Sequence, residues 1–206
     1  MWFGFISSLS LLIPVSIGLL FHRRNGRLQN YFLGFLIFSV VFESISSFMA
    51  LKGINNLGMF KVFLICDFLF FTWFFFKCFS YPHWLKYLSV FMLLLIGLYF
   101  TLLSKFSFPA GLFFASTFLF FIVQSIQVFI QLLDDSEPLN HPIFWVALAR
   151  LIYFLIIFII YVYPSIAPDS YDNKLFSIIQ PVINQTANIM CNILFAISFL
   201  CKRVQI

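Results

Sequence analysis

Three ionisable side chains lie deep within long apolar runs of the sequence, where a charge is costly in a membrane. Glu43 lies in the run 31–51, Asp67 in the run 57–79 and Arg150 in the run 143–163. A charge at the bilayer centre costs at least about 2.5 to 3.5 kcal/mol, so such residues usually face the protein interior and pair. At about 1.5 Å of helix per residue, Asp67 lies about 15 Å from one membrane face and Arg150 about 10 Å from the other. The remaining gap of about 5 Å is within reach of an arginine side chain, and we predict an Asp67–Arg150 ion pair.

Glu43 has no evident cationic partner in the sequence. Two interpretations stay open for it. The carboxyl group is either a proton or cation site, or a protonated and therefore neutral hydrogen-bonding group within a stripe formed with Ser39, Ser46 and Ser47.

Amide side chains recur every three or four residues in two other apolar runs, which places them on one helix face. The last run carries Ser177, Gln180, Asn184, Asn188 and Cys191 in this rhythm, with Gln185, Thr186 and Asn192 beside them, and the run 112–133 carries Gln124, Gln127 and Gln131. Such amides hold membrane helices together at about 0.6 kcal/mol per hydrogen bond on average. They also suit a water-containing cavity lined by the second, third, fifth and seventh runs. Both interpretations stay open.

No catalytic, metal-binding or cofactor-binding set is predicted. The three histidines, His22, His83 and His141, lie between the apolar runs and far from the buried carboxylates, and no HExxH motif is present. The last run contains no lysine within 175–201 with which retinal could form a Schiff base. The four cysteines, at positions 66, 78, 191 and 201, include no CxxC pair and are expected to be free thiols in apolar surroundings.

The composition of the chain is that of an integral membrane protein. Of its 206 residues, 63% are hydrophobic and only 9% are charged, with a mean hydropathy of +1.04, whereas soluble domains have about 25% charged residues. Seven runs are long and apolar enough to cross a bilayer: 3–21, 31–51, 57–79, 87–104, 112–133, 143–163 and 175–201. Because they are continuously apolar rather than alternating, they predict helices and not barrel strands. We expect one all-α, seven-helix transmembrane domain over residues 1–206, with bends at Pro14 and Pro181.

The basic residues predict the orientation of the bundle. One side collects seven of them, Arg23, Arg24, Arg27, Lys77, Lys86, Lys202 and Arg203; the other side collects four, Lys52, Lys61, Lys105 and Lys174. Because cytoplasmic loops are richer in lysine and arginine, the N-terminus is predicted outside and the C-terminus in the cytoplasm. The basic residues that give the net charge of +5 are therefore explained by the membrane orientation of the chain, and no nucleic-acid partner is expected.

Two stretches near the end of the chain resemble a known group of proteins. They are the segment from Asn140 to Trp145, followed by Arg150 and Tyr153, and the segment from Asn192 to Ala196, followed by Cys201, Lys202 and Arg203. The C-terminal third thus resembles small bacterial seven-helix membrane proteins that are often encoded beside sensor histidine kinases. The resemblance implies a membrane module that works with signalling partners.

Three classes of function remain for a bundle of this kind. We favour a sensor or scaffold in the bacterial inner membrane that acts through a separate protein partner or as a homo-oligomer. The alternative is a small transporter or oligomeric channel, including a membrane effector of a bacterial defence system. A membrane enzyme ranks last, because the sequence offers no catalytic set.

The orientation gives a first testable prediction. A reporter joined after Ile206 should be active only in the cytoplasm, because the predicted inner side holds seven basic residues against four. Alkaline phosphatase activity of such a fusion in the periplasm would contradict this orientation.

Overall fold

The computed structural model describes residues 2–79, 82–101, 110–133, 136–166 and 173–201. Every regular element in this part of the chain is helical, which confirms the all-α class. The α-helices are α1 (Trp2–Ser10), α2 (Leu12–Leu20), α3 (Arg27–Leu51), α4 (Leu57–Cys78), α5 (His83–Thr101), α6 (Ala110–Leu132), α7 (Pro142–Ile166) and α8 (Asn173–Ser198), and a 3-10 turn, Pro138–Asn140, precedes α7.

The first predicted run forms two helices rather than one. Pro14 has no amide hydrogen to donate to the carbonyl of Ser10, four residues earlier, and its ring crowds the preceding turn. The chain therefore tightens at Leu11, whose amide donates to the carbonyl of Ser8 at 3.3 Å. In contrast, α8 continues as one helix through Pro181.

Four helices of the described part are long and apolar enough to cross a membrane: α3, α5, Phe113–Leu132 of α6 and Pro142–Val162 of α7. The segment Ile6–Leu20 is apolar but shorter. α4 carries Lys61, Asp67 and Lys77, and α8 carries the amide stripe. The structure thus supports membrane association through four candidate spans, and the count of seven stays a prediction.

The helices are neighbours in sequence order around the bundle. α6 packs closely on α7 and α7 on α8, while α1 and α2 lie between α8 and α3 and close the ring. We call the end where α2 finishes and α3 begins the Arg27 end, and the opposite end, where α1 begins, the Trp2 end. Gln29, in the first turn of α3, donates to the carbonyl of Ser198 at 3.0 Å, which places the last turn of α8 at the Arg27 end.

Aromatic rings fill the half of the bundle nearer the Arg27 end. The ring of Phe32 stacks on Phe199, with centroids 5.6 Å apart, and meets the edge of Phe195 at 5.0 Å. Phe71 of α4 also packs on Phe195, at 6.4 Å. Rings from α3, α4 and α8 therefore interlock, and these four side chains are buried.

In α2, the backbone at Gly18 packs against side chains of α3 and α8. A methyl group built on Gly18 would come within 2.7 Å of the Leu33 side chain and 3.2 Å of the Phe199 ring. The carbonyl of Gly18 also accepts a hydrogen bond from the side-chain amide of Asn25, at 3.1 Å. A glycine at position 18 is what allows these three helices to meet.

Gly18→Leu should therefore destabilise the protein by about 1 to 3 kcal/mol, because added methylenes overpack a filled core. Thermal unfolding in detergent should show a lowered Tm. Gly34→Leu is the matched control, since a Cβ at Gly34 meets nothing within 4 Å. Equal Tm values for the two variants would contradict the proposed close packing.

Candidate functional site

Asp67 of α4 and Arg150 of α7 form the predicted ion pair. Nη1 of Arg150 lies 2.9 Å from both carboxylate oxygens of Asp67. The side chain of Arg150 is only 6% exposed and that of Asp67 only 12%. The prediction that these residues tie the two helices together is confirmed.

Three phenylalanine rings surround the guanidinium group of this pair. The Cζ atom of Arg150 lies 3.7 Å from the ring centroid of Phe71 and 4.4 Å from those of Phe121 and Phe154. Arginine suits this position, because its planar group stacks on aromatic faces and is less strongly hydrated than an ammonium. Its Nε and Nη2 atoms form no hydrogen bond within the described residues. The pair and its three rings, which we call the aromatic cage, are buried within the bundle.

The inward-facing residues of α3 change from buried to exposed on the Trp2 side of this cage. Gln29, Phe32, Leu36 and Ser39 follow one another at spacings of three and four residues, and all are buried. Glu43 and then Ser47 continue the same stripe toward the Trp2 end, yet both are exposed. Beyond residue 40 most side chains of α3 are exposed on every face, so neighbouring helices cover the first part of the stripe and leave the second uncovered.

The inward stripe of α8 behaves in the same way. Ala187, Cys191 and Phe195 are buried. One turn nearer the Trp2 end, Asn184 lies on the same stripe and is exposed, and Gln180 beyond it is half-buried. Asn184 forms no hydrogen bond to any residue the structure describes.

Helix α1 links the two stripes through consecutive serines. Ser8 donates to Oε1 of Glu43 at 2.6 Å, and Ser7 accepts from the amide of Asn188 at 2.8 Å. Glu43 and Asn188 therefore contact neighbouring residues in the same turn of α1. We call the group Ser8, Glu43, Ser47, Gln180 and Asn184 the polar cleft.

The other predicted polar residues lie outside this cleft. Asn192 donates to the hydroxyl of Ser10 at 2.8 Å and is buried, so it and Asn188 serve helix packing. Gln124 is fully buried, and neither of its amide atoms has a hydrogen-bond partner among the described residues. Gln127 is half-buried. Gln124 is therefore enclosed by the bundle, and both interpretations of the fifth run, helix packing and a water-containing cavity, stay open.

The sequence interpretation missed the serines of α1. Ser7 and Ser10 are three residues apart, which places them on one face, and this spacing was a usable signal. It was hidden because a hydroxyl group hardly lowers the hydropathy of an apolar run. Which aromatic rings form the cage was also not predictable from a chain that contains 33 phenylalanines.

The structure and the comparisons with known proteins add no metal site and no family. Within the described residues, no three His, Cys, Asp or Glu side chains are grouped as metal ligands would be. Cys66, Cys78, Cys191 and Cys201 are free thiols. No protein-family model, curated protein or solved structure matches the chain.

A double-mutant cycle tests the ion pair. Asp67→Asn or Arg150→Gln alone should cost about 3 to 5 kcal/mol, because each leaves one buried charge uncompensated. The double variant should recover much of this loss. Chemical unfolding in detergent measures the three free energies, and a double variant as unstable as the sum of the single ones would show that the pair contributes no coupling.

Proposed function

We propose that this protein is a membrane sensor that receives a small ligand from the outer side and passes its state to a separate protein partner. The observation that carries the proposal is the contrast between the two ends of α3 and α8. Toward the Trp2 end these helices expose polar side chains on their inward stripes, whereas toward the Arg27 end the same stripes are buried among aromatic rings. Helices α5 and α6 keep buried rings at the Trp2 end as well, such as Tyr99 on Phe113.

The aromatic packing of α3 and α8 toward the Arg27 end favours a sensor over a transporter. A transporter needs polar groups or unwound helix segments along its path. Below the polar cleft, the residues on the inward stripes of α3 and α8 include Phe32 and Phe195, which are in contact at 5.0 Å. The cage holds the Arg150 guanidinium between phenylalanine rings, so aromatic side chains fill the bundle at this level. A ligand can be bound in such a cleft without being passed on.

The proposal includes seven spans, an outside N-terminus and a multi-pass position in a bacterial inner membrane. The distribution of basic residues supports it. Among described residues, the Arg27 end carries Arg23, Arg24, Arg27, Lys77 and Lys86, and the Trp2 end carries Lys52, Lys61 and Lys174. Since basic residues favour the cytoplasm, the cleft opens outward, and the exposed arginines of the α2–α3 turn are available to a cytoplasmic partner.

Thiol labelling in liposomes tests the two halves separately. Asn184→Cys should react with a membrane-impermeant thiosulfonate added outside, in a background in which Cys66, Cys78 and Cys201 are replaced by alanine. Cys191 is the matched control, since it lies two turns, about 10 Å, further along the same stripe and is buried. It should stay unreactive from both sides.

The same liposomes should show no flux of protons, sodium or potassium. Labelling of Cys191 from either side, together with ion flux, would replace the sensor with a channel or transporter. An unreactive Asn184→Cys would show that the polar cleft is not open to water.

A further inference from the structure

We infer that the outer side of the contact between α3 and α4 binds one acidic phospholipid, with its phosphate between Arg27 and Lys77. The inference goes beyond the proposed sensor function and does not depend on it, because it concerns a lipid-facing surface rather than the polar cleft. It assigns a partner class, a glycerophospholipid whose headgroup carries a net negative charge.

A row of ring contacts fixes the register between α3 and α4, which run in opposite directions. Three pairs form the row: Tyr31 with Trp73 at 5.4 Å between centroids, Phe35 with Phe70 at 4.1 Å, and Phe42 with Phe63 at 5.4 Å. Each step along α3 from one pair to the next is matched by a step of the same length, within one residue, back along α4. We call this row the α3–α4 seam.

Arg27 and Lys77 are the next pair in the same register. Arg27 lies four residues before Tyr31, and Lys77 lies four residues after Trp73, so each is one turn further along its helix face. All four side chains are exposed. The candidate membrane span of α3 begins at Arg27, which places the two cations together at the membrane boundary.

The charges at this end of the seam match a phosphate. Neither Arg27 nor Lys77 forms an ion pair within the described residues. A guanidinium group binds phosphate oxygens in pairs, and an ammonium group adds a point charge. A zwitterionic headgroup brings its own ammonium, which two basic side chains repel. The pair therefore favours an acidic lipid over a zwitterionic one.

The aromatic pair one turn further in suits the ester region of the same lipid. Tyr31 is 49% exposed and Trp73 is 39% exposed, and the two rings meet edge to face. Tyrosine and tryptophan at this depth place an apolar ring against lipid and a hydrogen-bond donor toward its polar part. Their hydroxyl and indole N–H groups can donate to the ester oxygens of a lipid whose phosphate lies at Arg27 and Lys77.

The surface beyond this pair leaves room for an acyl chain. Phe35 and Phe70 are half-buried, so part of each ring remains uncovered along the seam. Gly34 lies between Tyr31 and Phe38 on the exposed side of α3, and a Cβ atom added there would meet nothing within 4 Å. The seam and this gap in the row of side chains form an apolar shelf that leads inward from the two cations.

Native mass spectrometry tests the headgroup preference. The purified protein should retain phosphatidylglycerol about tenfold more strongly than phosphatidylcholine with the same acyl chains. Arg27→Gln combined with Lys77→Gln should remove most of this preference. Arg23→Gln combined with Arg24→Gln is the matched control, because it makes the same change in charge at the same end of the bundle but off the seam. It should retain most of the preference.

Fluorescence quenching then locates the lipid without any change at the two cations. In a protein whose single tryptophan is Trp73, with phenylalanine at positions 2, 84 and 145, a small fraction of brominated phosphatidylglycerol in phosphatidylcholine bilayers should quench strongly. Brominated phosphatidylcholine at the same fraction should quench less. The excess should disappear with Arg27→Gln and Lys77→Gln.

Equal quenching of Trp73 by the two brominated lipids would overturn the inference, and it would do so even where the doubly substituted protein fails to fold. An equal loss of preference in the two double variants would also overturn it, because diffuse attraction by the whole basic end would then explain the binding. Neither result would bear on the polar cleft or on the proposed sensor function.

Discussion

The bundle depends on one buried electrostatic contact, the bond between Asp67 and Arg150. Either charge alone would be expensive in a membrane, so each makes the other tolerable and fixes α4 against α7. The three rings around the guanidinium then determine how α4, α6 and α7 pack, because an aromatic face must lie near each side of the planar group. Replacing Arg150 with lysine would keep the charge but lose this planar fit.

On the two sides of that contact, α3 and α8 differ in how closely they are packed and in how polar their exposed residues are. Toward the Arg27 end, phenylalanine rings and the close approach at Gly18 bring α2, α3 and α8 together. Toward the Trp2 end, α3 and α8 expose polar groups on the stripes that are buried further down, and the serines of α1 connect them. Because closely packed regions deform little, changes in the cleft should involve the Trp2 half far more than the Arg27 half.

The sequence predicted helix positions and the ion pair well, since both follow from regularities along the chain. Long apolar runs predict helices, and equal depth predicts which charges meet. It did not predict which amides would face the cleft, because helical periodicity gives a shared face but not its neighbour. Gln124 and Asn184 look alike in sequence, yet Gln124 is covered by adjacent helices and Asn184 is exposed. The Glu43–Ser8 contact could not be anticipated because a serine leaves almost no signal in an apolar run.

The separation of the two charges along the chain affects how the protein is made. Asp67 and Arg150 are 83 residues apart, so α4 emerges from the ribosome well before its partner helix. At about 5 to 20 residues per second, the carboxylate waits roughly 4 to 17 seconds for its arginine. During that interval the carboxylate has no basic partner, which makes α4 costly to place in lipid. A nascent chain that stops before α7 never acquires the guanidinium group that offsets the cost of this buried acid.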